Sequence, residues 1–165
     1  MTVLVRLDCE ACGRICFQRG GRVVIEAAWT RDHRAPSDEF LQDLEGRKRT
    51  LSLAAAVAMR FEDLARYGKL EIPRELNELR DGLWEIKAER VRLPFFWVLE
   101  PSHARVIRLT HGFLKGTERT PRREIDRAGW IRTEDRAASR ESTNVLLRRE
   151  AAAALYPQRD CGTKH

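Results

Sequence analysis

The sequence predicts an α+β fold: a small, mostly antiparallel sheet with two N-terminal helices and a C-terminal helix. Three observations predict it. Leu53, Val57, Phe61 and Leu64 recur at spacings of four, four and three, which puts them on one helical face. From Gly82 the period changes to two, with Trp84, Ile86 and Ala88 pointing one way and Glu85, Lys87 and Glu89 the other. Thr120 and Pro121 then set up a new helix start, an N-cap followed by proline at the first helical position.

Residues 1–20 form a Cys- and Arg-containing lead-in that ends at Gly20-Gly21. Arg22 to Thr30 reads as a strand because Val23, Val24 and Ile25 are β-branched. Arg31 to Pro36 is a polar turn; Ser37 then offers an N-cap, and Asp38 and Glu39 suit the positive end of a helix dipole. This first helix carries Phe40, Leu41 and Leu44 inward and stops at Gly46. The second runs from about Thr50 to Tyr67, with alanines that allow close approach and Gly68 as a left-handed stop. Lys69 to Asp81 is a connector with a short turn at Glu75 to Leu79.

Arg92 to Leu99 is a more apolar and therefore central strand, in which Pro94 calls for a bulge or an edge because it has no N–H to donate. Glu100 to Ala104 makes a hairpin turn, and Arg105 to His111 returns. The third helix runs to about Arg136, Ala137 to Glu141 is a linker, Thr143 to Tyr156 a short helix, and Pro157 to His165 a frayed tail. The expected domain is residues 21–136, between an N-terminal extension, 1–20, and a C-terminal extension, 137–165.

A chain of 165 residues is long enough to bury a core without cross-links. Its net charge of +6, mostly from arginine, favours an anionic partner: nucleic acid, an acidic protein or a membrane surface. A GC-rich genome also enriches arginine, so composition alone does not choose. No apolar stretch approaches the ~20 residues of a membrane span. Met1 to Cys16 carries Arg6, Asp8, Glu10 and Arg14 where a signal peptide has its apolar core. A cytoplasmic chain with reduced thiols and no membrane partner is expected. Cys9, Cys12 and Cys16 form a C-x2-C-x3-C cluster whose fourth ligand would be Cys161, His33 or His165, none at a standard spacing. Inert thiols, with no metal and no other cofactor, are therefore expected.

The cations of the strand region carry the chemistry. Cleaving RNA through its own 2′-hydroxyl requires that hydroxyl to lose a proton, the phosphorane-like charge to be stabilised and the leaving oxygen to gain a proton. Guanidinium groups stabilise such charge with paired hydrogen bonds, and a lysine crowded by arginines loses its preference for the charged form. The candidates are Lys87, Arg92, His111 and Lys115: Arg92 for phosphate charge, Lys87 or Lys115 for proton transfer, and His111 as a general acid or a structural histidine. Arg90, Arg108, Arg119, Arg122 and Arg123 are candidate RNA contacts. On spacing alone, the same residues are also ordinary solvated cations, and His111 an ordinary histidine hydrogen-bonded within a sheet.

Leu83, Trp84, Glu85 and Ile86, then Arg92, then His111-Gly112-Phe113 with Lys115 and Thr117, then Thr120, Pro121, Glu124, Ile125 and Ala128 form an ordered pattern. The pattern resembles the RelE/HigB-type toxins of type II toxin–antitoxin systems, in particular the phage-associated HigB-like branch, over roughly residues 20–136. The resemblance implies a metal-independent, ribosome-dependent mRNA endonuclease that contacts mRNA and rRNA and is neutralised by a cognate helix-turn-helix antitoxin. Lys87 stands where that family usually has arginine, Gly116 where a second lysine is common, and Phe95 or Phe96 near a frequent tyrosine, while Pro94 interrupts the aromatic strand. The departures bear on catalysis more than on fold. A non-catalytic nucleic-acid- or partner-binding protein on this scaffold, and a gyrase inhibitor like the sister ParE branch, are the alternatives. The His-Gly-Phe-x-Lys segment favours the RNA-directed branch.

Overall fold

A computed structural model describes residues 3–8, 13–98 and 105–155, with side chains from 143 onward left undescribed. The elements are β1 (Leu7–Asp8), β2 (Ile15–Arg19), β3 (Val23–Ala27), α1 (Pro36–Glu45), α2 (Leu51–Tyr67), β4 (Leu76–Glu78), β5 (Leu83–Ala88), β6 (Val91–Val98), β7 (Arg105–Leu109), β8 (Phe113–Leu114) and α3 (Arg122–Leu155). A 3-10 turn, Lys48–Thr50, joins the first two helices.

The class is α+β, but the expected arrangement is corrected in two respects. The sheet is eight-stranded and mixed, in the order β1-β2-β3-β7-β6-β5-β4 with β8 on β6. Its parallel pair is β3 with β7, Val23 facing Arg105 through Ala27 facing Leu109. The two helices are also not N-terminal. Three strands precede them, and α1 and α2 form the excursion from β3 to the β4–β5–β6 meander, whose return strand β7 docks beside β3.

Each sheet face has its own cover. One carries Ile25, Ala27, Ile86, Leu93, Phe95, Ile107 and Leu109, and packs with Leu41, Leu44, Leu53, Val57, Phe61 and Leu64 of α1 and α2 into the main core. The helical face expected for α2 is the one buried, and Gly68 closes that helix at φ 72°. On the other face, Leu83 and Phe96 meet Ala128 and Ile131 of α3. The charged side of β5 is therefore not a solvated one: Glu85 is only 1% exposed.

Other local expectations also change. Ser37 does not cap α1, which starts at Pro36 behind Ala35 with no side-chain cap. The turn expected at Glu75 to Leu79 contains β4, paired with β5 from Leu76 facing Ile86 to Glu78 facing Trp84. Pro94 sits in a central strand with no edge. Its carbonyl points toward Thr110, which donates its N–H at 2.8 Å. Pro94 thus accepts one half of the reciprocal bond pair with Thr110 and cannot donate the other, a single missing bond at the end of the β6–β7 ladder, just before β6 changes partner to β8. The linker expected at Ala137 to Glu141 is helical and continuous with α3. Part of the lead-in joins the sheet, with β2 pairing β3. Glu45 of α1 accepts the backbone N–H groups of Val3 and Leu4 at 2.8 and 2.6 Å. The hairpin turn expected at Glu100 to Ala104 lies outside the described residues.

Candidate nucleic-acid interface

Three rows of side chains cross the α3 face of the sheet. The first, Leu83, Phe96, Arg108 and Glu26, lies under α3. The second holds Glu85 and Pro94. The third, at the end of the sheet before α3 begins, holds Lys87 on β5, Arg92 on β6 and Phe113 on β8, each the register partner of its neighbour. Register partners share a face, so the sequence delivers two cations and an aromatic ring side by side.

Arg92 is buried, at 8% exposure, yet no ion pair reaches it among the described residues. Its Nη1 donates to the carbonyls of Glu89 at 2.7 Å and Val91 at 2.8 Å. Its Nε is buried and has no partner. Burial lowers its pKa from the ordinary arginine value, and the field of Glu85 only partly offsets this. A buried guanidinium with no carboxylate in contact is costly, and the nearby Glu85 offsets that cost only in part.

Lys87 is half-buried, and its Nζ donates to the Pro73 carbonyl at 2.8 Å. Burial pushes its ammonium below the ordinary lysine value; Glu85 opposes the shift, while Arg92 and Lys115 add to it. Lys115 is therefore close enough to act on Lys87, and its backbone N–H is fixed to the Arg90 carbonyl at 2.7 Å. Arg90 lies exposed at the β5–β6 hairpin. The buried Glu85 carboxylate accepts the Thr120 hydroxyl, at 3.0 and 2.9 Å from its two oxygens. That hydroxyl, expected to cap α3, thus ties the segment entering α3 to the floor of the site.

His111 is 1% exposed, wedged between Thr110 and Glu124. Its Nε2 lies 2.9 Å from a Glu124 oxygen and its Nδ1 3.1 Å from the Thr110 hydroxyl. The Thr110 hydroxyl also lies 3.1 Å from the Pro94 carbonyl, but it has a single hydrogen. One assignment satisfies the neutral ring: Nε2–H donates to Glu124, and Nδ1 accepts from Thr110. Burial drives the His111 pKa down to about 4, with Glu124 opposing and Arg127 adding to the shift, so the ring is neutral at pH 7. Gly112 follows because there is no room for a side chain: a Cβ there would lie 2.0 Å from Cδ1 of Phe40 on α1.

The remaining candidates separate. Arg108, expected to contact RNA, is buried and turned under α3, with Nε 3.2 Å from Glu26 and Nη1 3.0 Å from Asp135. Asp135 also pairs with Arg14 at 2.6 Å and accepts the Trp29 N–H at 2.8 Å, so the group fastens α3 to the sheet. Arg119 is exposed ahead of α3. Arg122 and Arg123 are exposed on its first turn, 3.8 Å from Asp126 and 3.2 Å from Glu124 respectively. Sequence reading did not find Thr110 and Glu124 as the partners of His111, or Arg14 and Asp135 as partners of Arg108. Glu124, Arg14 and Asp135 lie too far along the chain from these residues to leave a spacing signal, and Thr110, which adjoins His111, reads as an ordinary strand threonine.

Among the described residues, no three His, Cys, Asp or Glu side chains converge as metal ligands. Cys16 is a buried free thiol, and Cys9 and Cys12 lie outside the described residues. No helix of the described residues is long and apolar enough to cross a membrane.

The sequence profile of one family, described as phage derived protein Gp49-like (DUF891), matches residues 39–130, just over half of the chain. The chain belongs to this family. The Gp49-like family is related to the RelE/HigB-like toxins of toxin–antitoxin systems, and membership implies a cognate antitoxin as partner. The matched stretch runs from α1 to the first turns of α3 and so contains the whole Lys87–Arg92–Phe113 row with its supports. No curated protein matches the chain.

Proposed function

We propose that this Gp49-like protein is a type II toxin that cleaves mRNA on the ribosome through the basic row at the sheet end. The observation that carries the reading is Arg92, a buried guanidinium with an unpartnered Nε and, among the described residues, no ion pair, the nearby Glu85 acting on it only through its field. An RNA phosphate would supply the contacting anion that Arg92 lacks. Lys87 and Lys115 stand beside it, and Arg90 extends the positive surface at the hairpin.

Chemistry at such a site needs only the substrate's own hydroxyl. Lys87, shifted toward its neutral amine, takes the proton of a 2′-hydroxyl. The freed oxygen attacks the adjacent phosphorus while Arg92 stabilises the charge that develops on the phosphoryl oxygens. The 5′-oxygen leaves with a proton from the Lys115 ammonium, and a 2′,3′-cyclic phosphate remains. His111, enclosed and with both nitrogens engaged, holds the site together and does not exchange protons with substrate. Contacts with rRNA through Arg119, Arg122 and Arg123 would follow the usual salt dependence of phosphate binding.

One observation favours a second reading, binding without cleavage: the Nζ of Lys87 is already committed to the Pro73 carbonyl. Inducible expression of wild type and Arg92→Ala, with primer extension across abundant transcripts, tests both. Growth arrest with new transcript ends in wild type alone supports the nuclease. Arrest without new ends favours binding only, and no arrest in wild type counts against the toxin reading.

A further inference from the structure

Phe113 is placed unlike the other phenylalanines of the sheet. Phe95 and Phe96 lie in the two apolar clusters that pack on the helices, whereas Phe113 belongs to none of the buried clusters and is half-exposed. Its ring lies nearly parallel to the His111 imidazole, at 5.8 Å between centroids and 24° between planes. His111 is itself locked by Thr110 and Glu124, so the ring is backed by a rigid support. On the other side in the sheet, Phe113 is the register partner of Arg92, which is the partner of Lys87. Adjacent strands are about 4.8 Å apart, so the aromatic ring stands one strand from the guanidinium and two from the lysine.

We propose that Phe113 is the stacking platform for one nucleobase of a single-stranded RNA whose phosphate is held by Arg92 and Lys87. The inference rests on the reading of that row as an RNA phosphate site. It adds what the cations cannot supply, since cations alone hold any polyanion, whereas an aromatic ring beside them requires a base. Every base has a π face, so the platform selects unpaired nucleotides over other polyanions without reading a sequence. A duplex, whose bases are already stacked, gains nothing from it. Because His111 holds the ring before RNA arrives, little side-chain freedom is lost on binding.

The test compares Phe113→Leu and Phe113→Trp with wild type, using a short single-stranded RNA that carries 2-aminopurine, and inorganic polyphosphate as a base-free polyanion. Stacking quenches 2-aminopurine. Wild type and Phe113→Trp are expected to quench the probe at saturation. Phe113→Leu is expected to lose the quench and at least about tenfold in RNA affinity, with polyphosphate affinity unchanged. Full quenching by Phe113→Leu overturns the proposal, as does an equal loss of RNA and polyphosphate binding at unchanged melting temperature. If Phe113→Leu does not fold, Phe113→Trp decides: a raised ratio of RNA to polyphosphate affinity supports stacking, and an unchanged ratio overturns it. Failure of the underlying phosphate site reads differently, because wild type then binds neither polyanion.

Discussion

The His111 imidazole and the Glu124 carboxylate, thirteen residues apart in sequence, meet at 2.9 Å between Nε2 and Oε2 and bind the segment after β7 to the first turn of α3. The fold holds this histidine neutral, with a pKa of about 4 against an ordinary 6.5. Between those values the unfolded chain binds the proton more readily. The histidine's contribution is therefore complete above about pH 6.5, falls as the pH drops toward about 4 and does not fall further below that. The full span is on the order of 3 kcal/mol. His111→Asn is expected to flatten the stability profile in that window, measured by urea unfolding at several pH values. An unchanged slope contradicts the assignment.

Asp135 lies fully buried between two arginines, Arg14 and Arg108, and accepts the Trp29 N–H as well. Removing it leaves buried guanidinium groups short of a counter-charge. Asp135→Ala is expected to cost about 3–5 kcal/mol in urea unfolding. A loss under about 1 kcal/mol would show that α3 does not depend on this anchor.

Gly112 separates the supporting histidine from the exposed phenylalanine. In Gly112→Ala the new Cβ meets the Phe40 ring, which has to move or push the strand end away. A cost of about 1–3 kcal/mol is expected from such overpacking, together with a loss of RNA binding, because His111 and Phe113 are displaced with it. Thermal melting and RNA titration check the two effects separately. Stability and binding both equal to wild type would contradict this tight packing.

What the sequence made legible follows from range. Helix α2 was readable because its face repeats locally and Gly68 ends it with a left-handed residue. Strands β5 and β6 were readable from alternation and from an apolar run. The parallel β3–β7 pair was not, because Val23 and Arg105 are brought together by a crossover that no local pattern encodes. Strand β4 is three residues long with one buried side chain, too little for a period. The period-two reading of β5 found its faces correctly but took the charged one as solvated, since the cover over Glu85 comes from Thr120 and α3. Arg108 is covered for the same reason, since Glu26 and Asp135, which pair with it, come from β3 and α3. Lys87, Arg92 and Lys115 are near one another because β-pairing is regular enough to carry sequence spacing into space.

The most direct test of the central claim, that Arg92 is held ready for an RNA phosphate, is single-stranded RNA affinity as a function of salt for wild type and Arg92→Met, with melting temperatures alongside. Methionine fills the space without burying a guanidinium, and Lys87 remains beside the Glu85 carboxylate. The variant is expected to be as stable as wild type or more so, yet to bind RNA at least about tenfold more weakly with a salt slope reduced by about one. Equal affinity and equal slope, in a variant as stable as wild type, would contradict the account.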